Sequence, residues 1–398
     1  MSVPIPKLDL ELIGVREILD TLPDGTYVTD ADRRILFWSR SAMRLTGWPA
    51  EEVVGRTCSD NLLVHIDKDG HRLCGQEHCP LHRSIVTGTV SPEPLLVFAQ
   101  HKQGHRIPVE VSVAPIRDAS GQVVGGIEVF RDLTAVMDDL RRARLIQNHT
   151  LESQLPKDDR LRFEVRYSPE EIVGGDFYRV EALDPDHYAV MVADVMGHGV
   201  ASALYTMQLR SLWEDCRPQL GAPTAFMGEL NRRLRVLVGP DGYFATAVLV
   251  TVDAATGRMS CVRAGHPPPF LCRVGGGVEA WGAKGPALGL FEGSAYAETQ
   301  DQLGPGDTLL LFTDGAVEIA NAEDEELGEV GLRALLEKTH FGAEVNSLEA
   351  LERRLLAYSN RIRLPDDLTL LSVHRPIVSH AGMSASPSAT SPNRRSAD

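Results

Sequence analysis

Two stretches, HYAVMVAD at 187–194 and DTLLLFTD at 307–314, are apolar almost throughout, and each ends in aspartate. An apolar run without alternation belongs to a strand covered on both faces, so this part of the chain must build sheets with further layers over them. ASALYTMQLRSLW and LRALLEK carry helical periodicity and supply candidates for those layers. The same many-stranded pattern extends over residues 157–375. Two further acidic positions stand where a strand begins or ends: Asp176 after Gly174-Gly175, and the Asp366-Asp367 pair in LPDDLTLLSV. A carboxylate at a strand end reaches a shared cleft without being buried in the sheet.

Taken singly, an aspartate beside glycine is a turn or a helix cap. Several converging carboxylates repel one another unless cations intervene. Oxygen-only ligation favours Mg²⁺ or Mn²⁺ over zinc, because no histidine or cysteine has matching spacing near these aspartates. Two such ions lower the pKa of a bridging water and hold phosphate oxygens, which makes phosphate-ester hydrolysis the natural reaction class. A nucleotide cyclase would read Gly-Gly-Asp-Glu-Phe; here Phe177 follows Asp176 directly, and the second carboxylate is missing.

VGGDFY, ADVMGHGVASAL, AGHPPPFL, LGL, LFTDGAVE and DDLTLL occur in the order that resembles the metal-dependent protein phosphatases (PPM), in their bacterial SpoIIE/RsbU-like branch. The resemblance implies an α-β-β-α sandwich over residues 157–375, two Mn²⁺ or Mg²⁺ ions, and hydrolysis of phosphoserine or phosphothreonine on a protein. It implies Asp194 as the carboxylate shared by both ions, with Asp176 and the backbone carbonyl of Val195 on one of them. Asp314 and Asp366 would serve the other ion, with Asp367 beside them. Asp176, Asp194, Asp314 and Asp366 are then the catalytic set, with Gly174, Gly175, Gly197 and Gly199 supporting. His198 and His266 are weighed against as general acids, since each can simply orient its loop. No motif fixes a phosphate-gripping residue; Arg162 and Arg166 precede the Gly-Gly-Asp without being tied to the cleft. By family analogy the substrate is a STAS-type anti-anti-sigma protein of a partner-switching system. A noncatalytic signalling scaffold is the competing reading, and a metal-dependent turnover assay separates the two.

Ahead of this, residues 11–132 alternate strand-like runs, turns and short helices. LPDGTYVTDADRRILFWSRSAMRLTGW early and VFRDLT at the end resemble a PAS sensor domain, so the whole chain is expected to be α+β. Residues 133–156 place Leu133, Val136, Leu140 and Ala143 on one apolar seam, interrupted at Gln147. This helical linker either pairs across a homodimer or packs on a neighbouring domain. The stretch containing Cys58, His65, His71, Cys74, His78, Cys79 and His82 is either a solvated insertion or a PAS site for a metal, a haem or a redox switch. Cys216, Cys261 and Cys272 are scattered and read as buried thiols. Residues 376–398, rich in Ser, Ala and Pro, read as a disordered tail. A net charge of -15 argues against nonspecific nucleic-acid binding. No apolar stretch is long enough for a membrane span, and the N-terminus lacks the pattern of a secretory signal, so a cytoplasmic location is expected.

Overall fold

The computed structural model describes residues 14–377 apart from 76–77, 92, 152–153, 240–242, 276, 340, 342–346 and 361–363. Most of the expected tail lies outside the described residues. The chain divides into two compact units between Ala143 and Arg144.

The N-terminal unit contains helix α1 (Val15–Thr21), strands β1 (Gly25–Asp30) and β2 (Ile35–Trp38), and helices α2 (Arg40–Thr46), α3 (Ala50–Val53) and α4 (Pro80–Thr87). Strands β3 (Leu95–Gln100), β4 (Arg106–Arg117) and β5 (Val123–Asp132) complete an antiparallel sheet of order β2-β1-β5-β4-β3. Alternation in β4 sends Val109, Val111 and Val113 into the core, where Tyr27, Trp38, Leu81 and Phe130 join them. Ser39 caps α2 by accepting the Ala42 N–H, and Gly47 ends that helix in the left-handed conformation.

Helix α5 (Thr134–Leu151) follows, and then the C-terminal unit. Its first sheet has the order β13-β10-β9-β8-β7, from β7 (Asp176–Ala182), β8 (His187–Val195), β9 (Ala245–Asp253), β10 (Arg258–Ala264) and β13 (Glu298–Gln302). The second has the order β12-β11-β14-β15-β6, from β6 (Arg162–Ser168), β11 (Phe270–Cys272), β12 (Val278–Ala280), β14 (Thr308–Phe312) and β15 (Leu368–His374). Helices α6 (Val200–Cys216) and α7 (Pro223–Val238) cover the first sheet, and α8 (Gly328–Thr339) and α9 (Ser347–Ser359) cover the second.

Strand β8 shows why its run had to be apolar. Ala189, Met191 and Ala193 pack towards Leu209, Trp213, Phe226 and Leu230 of the helices. Val190 and Val192 face the opposite way and share a core with Leu309, Leu311, Leu371 and Val373 of the other sheet. Strand β14 does the same in mirror fashion, with Leu310 and Phe312 under α8 and α9. The result is the expected α-β-β-α sandwich. Cys216, Cys261 and Cys272 are buried free thiols, as their contexts suggested.

Candidate functional site

Pairing of β7 with β8 sets Asp176 directly opposite Asp194. On the second sheet, β14 runs through Thr313 into a short 3₁₀ turn, Asp314–Ala316, while Asp366 and Asp367 lead into β15. Both sheets therefore deliver carboxylates to one end of the sandwich. The groups feel one another: burial, followed by Asp194 and Asp367, holds Asp176 well above the usual carboxylate range. Burial, followed by Asp314 and Asp366, raises Asp194. Burial and Asp366 push Asp314 up to about 6, with Glu318 adding to the repulsion.

Asp176 is 1% exposed. Its Oδ2 accepts the hydroxyls of Thr313 at 2.9 Å and Thr369 at 2.6 Å, both from the second sheet. Its Oδ1 is buried with no partner. A buried carboxylate oxygen left unpaired among like charges is what a cation site requires, and the oxygen-only donor set fits a hard divalent ion. The aspartates are spread around the end of the sandwich: among the described residues, no three of their oxygens lie within 4.8 Å of one another.

Asp367 is placed differently from its neighbour. Its Oδ1 accepts the Glu170 N–H at 2.7 Å and its Oδ2 the Gly175 N–H at 2.5 Å, so both oxygens hold the loop that carries Gly-Gly-Asp. Close approach explains the glycines of that loop. A Cβ on Gly174 would stand 2.5 Å from the Tyr167 hydroxyl and 2.7 Å from Asp367 Oδ2. One on Gly175 would stand 3.0 Å from the carbonyl oxygen of Val195. That carbonyl thus lies beside the Gly-Gly-Asp turn.

His198 is exposed and pairs through Nδ1 with Glu171 at 3.1 Å. His266 is buried against Thr246, and burial lowers it to about 3, which leaves a neutral ring. Neither arrangement favours a general acid. Arg166 is engaged with Glu352. Arg144 lines a cleft of about 260 Å³ together with Tyr167, Glu170, Glu171 and Asp366. A larger groove, about 720 Å³ with His187 and Arg217 on its walls, lies at the hairpin end of β7 and β8, away from the aspartates.

Gln147, which breaks the apolar seam in the sequence, is buried at 2% exposure. Its Nε2 donates to the Gly174 carbonyl at 2.7 Å and to the Thr206 hydroxyl at 3.0 Å, and its Oε1 accepts the Gly174 N–H at 3.2 Å. Sequence reasoning missed this contact, as it missed Thr313 and Thr369. The two threonines stand inside FTDG and DDLTLL, but their partner is more than 130 residues away.

Residues 184–376 match the family model described as Stage II sporulation protein E (SpoIIE), and residues 15–133 the one described as PAS fold. The chain joins a PAS domain to a SpoIIE-type domain. Asp194, Asp314 and Asp366 fall within the SpoIIE match, and Asp176 precedes it. Phosphoserine phosphatase RsbP of Bacillus subtilis is 32% identical over 183 residues, 45% of this chain and 45% of RsbP. This chain therefore spans about half the length of RsbP. Phosphoserine phosphatase RsbU of the same organism is 24% identical over 309 residues, covering 77% of this chain and 88% of RsbU. Among solved structures, the SiaA-PP2C domain of Pseudomonas aeruginosa is 26% identical with a TM-score of 0.53, covering 60% of this chain and 96% of that one. Among the described residues of the SpoIIE-type and PAS domains, no helix is long and apolar enough to cross a membrane.

Proposed function

We propose that this protein is a PAS-regulated, metal-dependent phosphatase that hydrolyses phosphoserine or phosphothreonine on a protein. The observation carrying the reading is the buried, unpartnered Oδ1 of Asp176, opposite Asp194 and amid mutually repelling carboxylates. Asp176, Asp194, Asp314, Asp366 and the Val195 carbonyl would hold two Mn²⁺ or Mg²⁺ ions. Such ions supply Lewis-acid activation of water and of a phosphate ester.

The chain's own residues do the rest. Thr313 and Thr369 fix Asp176 by one oxygen and leave the other free to ligate. Asp367, with both oxygens on backbone N–H groups, is assigned to positioning the Gly-Gly-Asp loop and stands outside the inner ligand set. Arg144, beside Asp366, is the cation best placed to meet an incoming phosphoprotein. RsbP and RsbU, both phosphoserine phosphatases by name, support a phosphoserine substrate, and the family resemblance of the motifs points to a STAS-type anti-anti-sigma protein as its carrier. Gln147 gives α5 a direct hold on Gly174, and pairing of α5 in a homodimer would let the PAS domain act on that hold.

The deciding assay is dephosphorylation of a phosphoserine-containing STAS protein with Mn²⁺ or Mg²⁺, with and without a chelator. Turnover that depends on the ion is expected. Binding of the phosphoprotein without turnover under any divalent ion would instead support the scaffold reading.

A further inference from the structure

The PAS domain contains a second group of metal-ligating side chains, remote in sequence and chemistry from the aspartates. Cys58, His65, Cys74, Cys79, Tyr27 and Glu128 line one cavity of about 10 Å³. The long connection between α3 and α4 supplies Cys58, His65 and Cys74, and Cys79 stands at the N-cap of α4. The His65 backbone N–H donates to Cys74 Sγ at 3.1 Å, which folds this connection back on itself at the cavity.

Two polar atoms in the cavity wall have no hydrogen-bond partner. They are His65 Nε2 and Glu128 Oε1, 3.8 Å apart, on residues 7% and 1% exposed. Buried polar atoms in folded proteins are nearly always satisfied, and an exception calls for an explanation such as an ion. The volume limits what can satisfy these two. About 10 Å³ is the space of a single water-sized particle. The rings of Tyr27, Trp38 and Phe130 pack 5.4 to 6.4 Å apart and fill the rest of the interior. An ion fits this space; a haem or another organic cofactor does not.

We infer that Cys58, Cys74, Cys79 and His65 form a binding site for one thiophilic divalent cation of the zinc class. Three sulfurs and one imidazole make a complete four-coordinate donor set of the kind that closes structural zinc sites. The four donors face the cavity without being drawn together: among the described residues, no three of them lie within 4.8 Å of one another. Binding would rotate them inwards and pull the loop before α4 towards the sheet. Arg33 lines the same cavity, held there by donating to the Gly75 carbonyl at 2.5 Å, and brings a positive charge beside the sulfurs. Glu128 lines the same cavity, with its Oε1 3.8 Å from His65 Nε2.

The test uses reduced, metal-stripped full-length protein titrated with Co²⁺. A sulfur-to-cobalt charge-transfer absorption saturating at one equivalent, and abolished by Zn²⁺, is expected; the carboxylate site lacks sulfur and cannot produce it. Cys58→Ser or Cys74→Ser should weaken Co²⁺ binding by more than about 100-fold, beyond the 10–100-fold typical of outer-shell residues. His65→Gln should change the ligand-field bands. Should a cysteine variant fail to fold by circular dichroism, the wild-type chain still decides. Titrating its zinc-loaded form with a mercurial should release one Zn²⁺ as three thiols react. Absence of the charge-transfer band, its persistence in a Cys58→Ser/Cys74→Ser double variant, or a disulfide among these thiols in a metal-free protein would overturn the proposal.

Discussion

Asp366 and Asp367 are adjacent in the chain and have opposite surroundings, one partly open beside Arg144 and the other closed by two backbone N–H groups. Substitution should separate them. Asp194→Asn removes a buried charge from a repelling cluster, so in chelator the variant should melt no lower than the wild type. Its turnover should nevertheless fall by at least about 100-fold, on the order of 3 kcal/mol, because metal positioning is lost. Asp314→Asn should behave alike. Asp367→Asn weakens two charge-assisted hydrogen bonds and should lower the melting temperature with or without metal, by about 2 kcal/mol of stability. Thermal melts beside phosphatase assays check all three; full activity in Asp194→Asn and Asp314→Asn would remove the metal-site assignment. Asp194, Asp314 and Asp366 were legible in the sequence because each borders an apolar run, and Asp176 because two glycines precede it. The roles of Asp367, Thr313 and Thr369 were not, since they follow from which strand ends meet across two sheets.

At the scale of an element, α5 behaves as two stretches. Towards its N-terminus Val136 is exposed, and Leu140 and Ala143 are half-buried; towards its C-terminus Gln147 and Leu151 are buried in the SpoIIE-type domain. Sequence periodicity found the helix and read Gln147 as a flaw in its seam, because a pattern of apolar spacing has no way to register a polar side chain matched to a backbone turn. Gln147→Leu keeps the volume but strands the Gly174 N–H and carbonyl, at about 1–3 kcal/mol for each group left unsatisfied. Activity should drop by at least about tenfold, with α5 still helical by circular dichroism. Gln147→Glu should be at least as damaging, since it keeps the acceptor for the Gly174 N–H but buries an unpaired carboxylate against the Gly174 carbonyl. Wild-type turnover in both variants would disconnect this helix from the site.

Across the whole molecule, the order of layers could be read from the sequence: strands such as β8 and β14 have no polar face, and only a sheet between two covers accepts them. Assembly was not legible to the same degree. If α5 pairs across a homodimer, light scattering should give twice the chain mass, and Leu140→Asp should reduce both that mass and the activity; a monomer whose turnover ignores the substitution would place regulation elsewhere. Independent of assembly, the aspartates come from two different sheets, and Asp176 is held by hydroxyls of the sheet to which it does not belong. An ion bound there acts as a rivet between two slabs, and its affinity is measured against their freedom to slide apart. Loading with Mn²⁺ at about 100 times its dissociation constant should therefore stabilise the SpoIIE-type domain by about 2.7 kcal/mol, seen as a concentration-dependent rise in melting temperature that Asp194→Asn abolishes. Conversely, because the same two sheets share one buried core, a partner that pried their carboxylate ends apart would weaken the ion and the fold together.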